Sequence, residues 1–362
     1  MSYRILRCWA FHGGVGEMFE NKKFDVEHAL NLYADSFSLF PAPAIYDEEA
    51  LKPLKSVIER CHIYLIGTVP KVDFVGARQS NRTLFVSMEV LSKAYEISWP
   101  LPDGIELKHE DGLWYLLDQQ GKRSFVTEDA MFQQLALTYD CLKFDVQYIG
   151  QAYGSDGSRN ALDRLRKHET LQKISLQGVP EGYRLELILL EVVPATRVVT
   201  VFNPKAEDKT QGRERIKAGL DKLFGTDEKE RVSLFEAAFI RYFRPPFNEK
   251  FKDSFPSTNM KVLKDCYAKD FSAVVAEIGF DELPFKLCSG HVEAKDHHIA
   301  SFNLSTAEER AVFFSPAEKS VVDLAKLADA MSNLTVGESV DLSRLLRERW
   351  KIPISAESKK QS

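Results

Sequence analysis

Two stretches of this chain hold residue types that could act on a phosphate. The first, DVQYIGQAYGSDGSRNALDRLRKH at 145–168, runs from a β-rich segment ending in Tyr148-Ile149-Gly150 into a glycine- and serine-rich loop. It then enters a basic segment with Arg164, Arg166, Lys167 and His168. Arg164 and His168 are four positions apart, so a helix sets them on one face. A guanidinium offers paired donors to phosphate oxygens and keeps its charge at any working pH. An imidazole titrates near neutrality and can move a proton.

The second stretch is FEAAFIRYFRPPFN at 235–248. Helical spacing surrounds Glu236 with Val232, Phe239 and Ile240, beside an apolar stripe of Phe235, Phe239 and Tyr242. A carboxylate in that setting risks desolvation, which is costly unless it meets a cation or a metal. Pro245-Pro246 ends the helix and delivers Asn248. Taken alone, the basic segment reads as a solvated helix face and Glu236 as a carboxylate at the edge of the stripe.

In this order the two stretches resemble the GIY-YIG nuclease superfamily. Tyr148-Ile149-Gly150 stands where that family has its YIG strand, and Arg164 where it has its helix arginine. His168 fits the Arg-x-x-x-His form of phage homing endonucleases, and Glu236 stands for the metal-binding glutamate. EAAFIRYFRPPFN is similar, in spacing from Glu to Asn, to the block in the nuclease domain of the bacterial excision-repair incision subunit. The resemblance spans roughly residues 131–253. Gly-Ile-Tyr, the first motif, is not present. The nearest candidate, Leu137-Thr138-Tyr139, keeps only the tyrosine. The loop from Gly150 to Arg164 is longer than in compact members.

The resemblance implies a metal-dependent endonuclease hydrolysing phosphodiester bonds, with DNA favoured as substrate, in bacterial or phage defence or genome processing. A catalytically inactive nucleic-acid-binding or protein-interaction module on the same fold is the alternative. One Mg²⁺ (or Mn²⁺) would be held by Glu236, with Arg164 stabilising charge on the phosphoryl oxygens. The base that activates water stays open between Tyr148, Tyr139 and His168. Arg159, Arg166, Lys167 and Arg244 are expected to contact substrate, and Asn248 to orient a strand end or a phosphate.

The elements that must position these residues read as a mixed α/β and α+β multidomain chain. A small central antiparallel sheet flanked by helices is expected over 131–253, after an α/β domain at 1–130 and before an α+β region with a basic helical tail at 254–362. YRILRCWAF, IYLIGTV, TLFVSMEV, LWYLLD, RLELILLEVV and TRVVTVFN read as strands. FDVEHALNLYADSF and DEEALKPLKSVIERC have helical periodicity, and Thr127 is placed to cap a helix over TEDAMFQQLALTY. FSAVVAEI, PFKLCSGHVEA and HHIASFNL suggest a separate small antiparallel sheet. SPAEKSVVDLAKLADAMSN reads as a helix capped by Ser315.

Composition bounds the rest. With 362 residues, 44% hydrophobic and 28% charged, the chain is of ordinary globular type. A net charge of −5 means that nucleic-acid contacts would need local basic patches. Five scattered cysteines without a CxxC pair argue for a reducing, cytoplasmic setting and against a thiolate zinc site. No apolar run has membrane-spanning length, so no membrane partner is expected. A protein partner or a homo-oligomer through the flanking regions is compatible with this. FHGGVG at 11–16 lacks the spacing of a phosphate loop and reads as a turn. His297-His298 would face opposite sides of a strand and reads as a surface pair.

Overall fold

The computed structural model describes residues 24–153, 161–177, 179–192, 197–202, 206–256, 260–279 and 283–304. The expected first strand at YRILRCWAF, the FHGGVG turn, Arg159, the Ser315-capped helix and the basic tail lie outside them.

Strand β1 (Val26–Pro41) is followed by helical turns that include α1 (Glu48–Leu51) and α2 (Lys55–Ile58). Next come β2 (Ile63–Pro70), β3 (Val72–Ser80), β4 (Thr83–Val90), β5 (Lys93–Pro100), β6 (Glu106–Glu110), β7 (Leu113–Leu117) and β8 (Arg123–Ser124). Helix α3 (Glu128–Thr138) leads to β9 (Lys143–Gln151), then α4 (Ala161–Leu165), α5 (Glu169–Gln177), β10 (Tyr183–Val192) and β11 (Arg197–Phe202). The described chain closes with α6 (Gly212–Gly225), α7 (Glu228–Phe243), α8 (Lys261–Ala268), β12 (Ala273–Gly279), β13 (Lys286–Ser289), β14 (Val292–Lys295) and β15 (His297–Asn303).

The expectation of a small central sheet flanked by helices is overturned. The chain builds one nearly closed, barrel-like mixed sheet of nine strands, ordered β14-β13-β9-β2-β10-β1-β12-β15, with β11 also on β1. Its centre, β9-β2-β10, is antiparallel. Parallel pairings of β13 with β9 and of β12 with β1 extend it on both sides. Local patterning shows which segments are strands but not which edges they meet, so the extensions are invisible in the sequence. For the same reason the segments past residue 255 do not form a sheet of their own. Strands of this one sheet come from all three of the expected segments.

FDVEHALNLYADSF at 24–37, expected to be helical, lies largely in the long strand β1. It is paired on both edges, by β10 and β11 on one side and β12 on the other. Val26, Ala29, Leu30, Leu32 and Ala34 are all buried. A strand covered on both faces carries apolar residues at odd and even positions, and such a run mimics a helical period. Between β2 and β9 lie two three-stranded meanders, β3-β4-β5 and β6-β7-β8. The first packs Leu84, Val86, Met88 and Ile97 onto the core that also takes α7. A second core, on the opposite side of β2 and β10, holds Tyr64, Ile66, Leu187 and Leu189 against α4 and α5.

Candidate functional site

The pairing of β2 with β9 sets Tyr64 opposite Gly150 and Ile66 opposite Tyr148. Paired positions share a face, so Tyr64 and Tyr148 lie diagonally on one side of the sheet. Their rings stack with centroids 6.1 Å apart. Gly150 makes this possible, because a Cβ there would sit 2.5 Å from the Tyr64 hydroxyl and 2.8 Å from the Tyr148 ring.

Ala161, Leu162 and Leu165 of α4 pack over this face, as do Leu171 and Ile174 of α5. The expected single basic helix is two short ones, and His168 lies at the break between them. Its Nδ1 accepts the Leu171 N–H at 3.3 Å, so its Nε2 carries the proton and donates to the Tyr64 hydroxyl at 2.9 Å. The Tyr148 ring lies 5.1 Å from the His168 ring, and the Tyr64 and Thr170 hydroxyls act to lower the pKa of its own. The Arg164 guanidinium reaches the Tyr64 hydroxyl from an exposed position on α4.

Glu236 comes from the other layer. Asp227 caps α7 by accepting the Glu230 N–H, and the helix buries Val232, Phe235, Phe239 and Phe243. Glu236 is buried with them, at 9% exposure. Gln151, the last residue of β9, stands beside its carboxylate and favours its charged form. Ser233 donates to Gln151 Oε1 at 3.3 Å. Among the described residues Glu236 makes no ion pair. Burial pushes its pKa up to about 7, opposed by Gln151 and by the charge of Lys250.

The same field ties the groups together. Burial raises Tyr64 and Tyr148 above the usual phenol range, the Glu236 charge adds to this, and Arg164 opposes it for both. His168 is pushed down to about 4 by burial and then by Arg164, so it is neutral at pH 7.

The structure thus gathers Tyr148, Arg164 and His168 around Tyr64 on one face of the sheet, while Glu236 stands in the opposite layer beside Gln151 and reaches the two tyrosines through its charge. Tyr139 is not among them: it ends α3, donates to the Glu96 carbonyl at 2.9 Å and packs on Tyr95. Asn248 clamps β9, its Oδ1 accepting the Ile149 N–H at 2.9 Å and its Nδ2 donating to the Ile149 carbonyl at 2.8 Å. Arg166 donates from Nε to the Ile45 carbonyl at 2.9 Å. Arg244, in the left-handed region at φ 51°, pairs with Asp253 at 2.9 Å and donates to the Lys252 carbonyl at 3.1 Å. Both arginines are engaged in holding loops, whereas Lys167 is exposed. His297 pairs with Glu277 at 2.7 Å, while His298 is buried against the Leu287 carbonyl, so the two are not a surface pair.

Sequence reasoning missed Tyr64, Gln151 and Thr170. The signal for Tyr64 was His62-Ile63-Tyr64 at the head of a strand, an Ile-Tyr pair lacking only the leading glycine.

Among the described residues no group of three or more His, Cys, Asp or Glu could hold a metal ion, and no helix is long and apolar enough to cross a membrane. Comparison with protein-family models, curated proteins and solved structures yields no match.

Proposed function

We propose that this chain is a metal-dependent phosphodiesterase of GIY-YIG type acting on nucleic acid, with DNA the favoured substrate. The observation that carries the reading is the meeting of Tyr64, Tyr148, Arg164 and His168 on one face at the end of β2 and β9, with the buried Glu236 carboxylate on the other side of that strand end and near enough for its charge to act on both phenols. In this reading His62-Ile63-Tyr64 takes the place of Gly-Ile-Tyr, and Tyr139 has no part.

Glu236 fits a hard divalent ion. It is a buried carboxylate without an ion pair among the described residues, and an ion that keeps its own waters needs few protein ligands. A Mg²⁺ or Mn²⁺ bound there supplies Lewis-acid polarisation of the phosphate and relief of charge on the departing oxygen. Arg164 faces the phosphoryl oxygens and offsets their growing charge. Tyr64 is the base for water. Its hydroxyl oxygen accepts from His168 Nε2–H and lies in the field of Arg164, two contacts that oppose the burial holding the phenol protonated. Neutralising the Glu236 charge removes a further contribution that holds Tyr64 protonated. His168 is a positioning residue, because its one free lone pair is spent on Leu171 N–H.

The test is cleavage of single- and double-stranded DNA and RNA with Mg²⁺ or Mn²⁺, with Glu236→Ala and Tyr64→Phe as controls. Divalent-dependent cutting lost in both variants is expected. Cutting by Glu236→Ala at the parent rate would overturn the assignment.

A further inference from the structure

Helix α6 (Gly212–Gly225) is amphipathic the wrong way round. Its inward face is charged. Arg215 is buried and pairs with Glu27 at 3.1 Å and Asp270 at 3.2 Å, and its carbonyl bonds His28 Nε2 at 2.7 Å. Lys222 is buried and pairs with Asp265 at 2.7 Å. Gly219 lies between them, where a Cβ would meet the His28 ring at 2.9 Å. The outward face is apolar: Ile216, Leu220 and Phe224 are 40%, 50% and 83% exposed. A helix packed only against its own domain turns its apolar stripe to the core. Here ion pairs anchor the helix, and an i, i+4, i+8 ridge is left facing outward.

The surroundings of that ridge are self-complementary. At the N-terminal end of α6, Ile216 and Phe202 line an open hollow of about 530 Å³, together with Val26, Gly212 and Arg213. At the C-terminal end, Phe224 is a projecting aromatic knob. A two-fold axis beside Leu220 would place Leu220 on Leu220 and seat Phe224 of each copy at the Ile216 level of the other. Ridges of i±4 spacing interdigitate in this manner. Lys217 and Asp221, both exposed, lie on the outer flank of the ridge. The same axis brings Lys217 of one copy to within two residues' rise, ~3 Å along the helix, of Asp221 of the other. An isologous interface needs one patch that carries both halves of each contact, and this patch has knob with hollow and cation with anion.

We infer that the outward face of α6 binds a second copy of this chain, forming a two-fold dimer through Ile216, Leu220 and Phe224. The inference does not depend on the nuclease reading. Sedimentation velocity of the full chain at micromolar concentration should show a dimer. Phe224→Glu and Leu220→Glu should each shift it to monomer, with an unchanged circular dichroism spectrum because both side chains point outward. Lys217→Asp should weaken association about tenfold or more, and adding Asp221→Lys should restore it. A monomeric parent chain overturns the inference, and so does a dimer that survives Phe224→Glu. A paired charge reversal that fails to restore association overturns the two-fold register.

Discussion

Tyr64 Oη accepts a hydrogen bond of 2.9 Å from His168 Nε2, and the opposite nitrogen of that ring accepts the Leu171 N–H. The ring is therefore held in one tautomer by the first turn of α5, with its proton aimed at the phenol oxygen. In the proposed mechanism this arrangement gives orientation to His168 and proton acceptance to Tyr64, a residue outside the three base candidates of the sequence.

Tyr64→Phe removes the oxygen on which His168 and Arg164 converge. Cleavage should fall by about 10²–10⁴, the usual contribution of a general base, with nucleic-acid affinity little changed. His168→Gln should lose less than Tyr64→Phe and should shift the ascending limb of the pH–rate profile, set by ionisation of Tyr64, upward. Equal rates for Tyr64→Phe and the parent would remove Tyr64 from the chemistry.

Gly150→Ala puts a methyl group 2.5 Å from the Tyr64 hydroxyl and 2.8 Å from the Tyr148 ring. One or both rings must move. A stability loss of about 1–3 kcal/mol is expected from overpacking, with a cleavage defect larger than the unfolded fraction explains. Thermal melts and rates on the same preparation check this.

Glu236 has a folded-state pKa of about 7 against an ordinary value of 4.5. Between these values the folded chain holds a proton that the unfolded chain has released, so this group's contribution to stability falls as pH rises from 4.5 to 7. Glu236→Gln should therefore leave stability near pH 4.5 almost unchanged and raise it by about 3 kcal/mol at pH 8. Denaturant titrations at the two values measure it. In the parent, Mn²⁺ affinity should drop about tenfold per pH unit below about 7, because only the ionised carboxylate binds.

Asn248→Ala leaves the buried N–H and C=O of Ile149 without the amide that now bonds both. A loss of roughly 2–4 kcal/mol is expected. Tyr139→Phe breaks one bond to the Glu96 carbonyl, far from the site, and should leave cleavage unchanged. A large activity loss in Tyr139→Phe with normal stability would return that residue to the mechanism.

What the sequence by itself determined is local. Alternating and continuous apolar runs mark β2, β4, β7, β10 and β11; Thr127 caps a helix through its own side chain. The spacing from Glu236 to Asn248 is short enough to read directly. The basic character around Arg164 and His168 is equally plain, although the break at His168 is not, since it depends on a ring turned back to cap the next helix. Only the tertiary structure decided that Tyr64 lies against His168 and Tyr148. Two meanders between residues 72 and 124 part β2 from β9, and hydrogen bonding between strands takes no account of chain separation. It alone decided that β1 is a strand, because burial on both faces erases the period-two signal. It also decided which face of α6 turns inward: the buried Glu27 and the half-buried Asp265 and Asp270 hold the helix by its cations, against the side its apolar residues would choose.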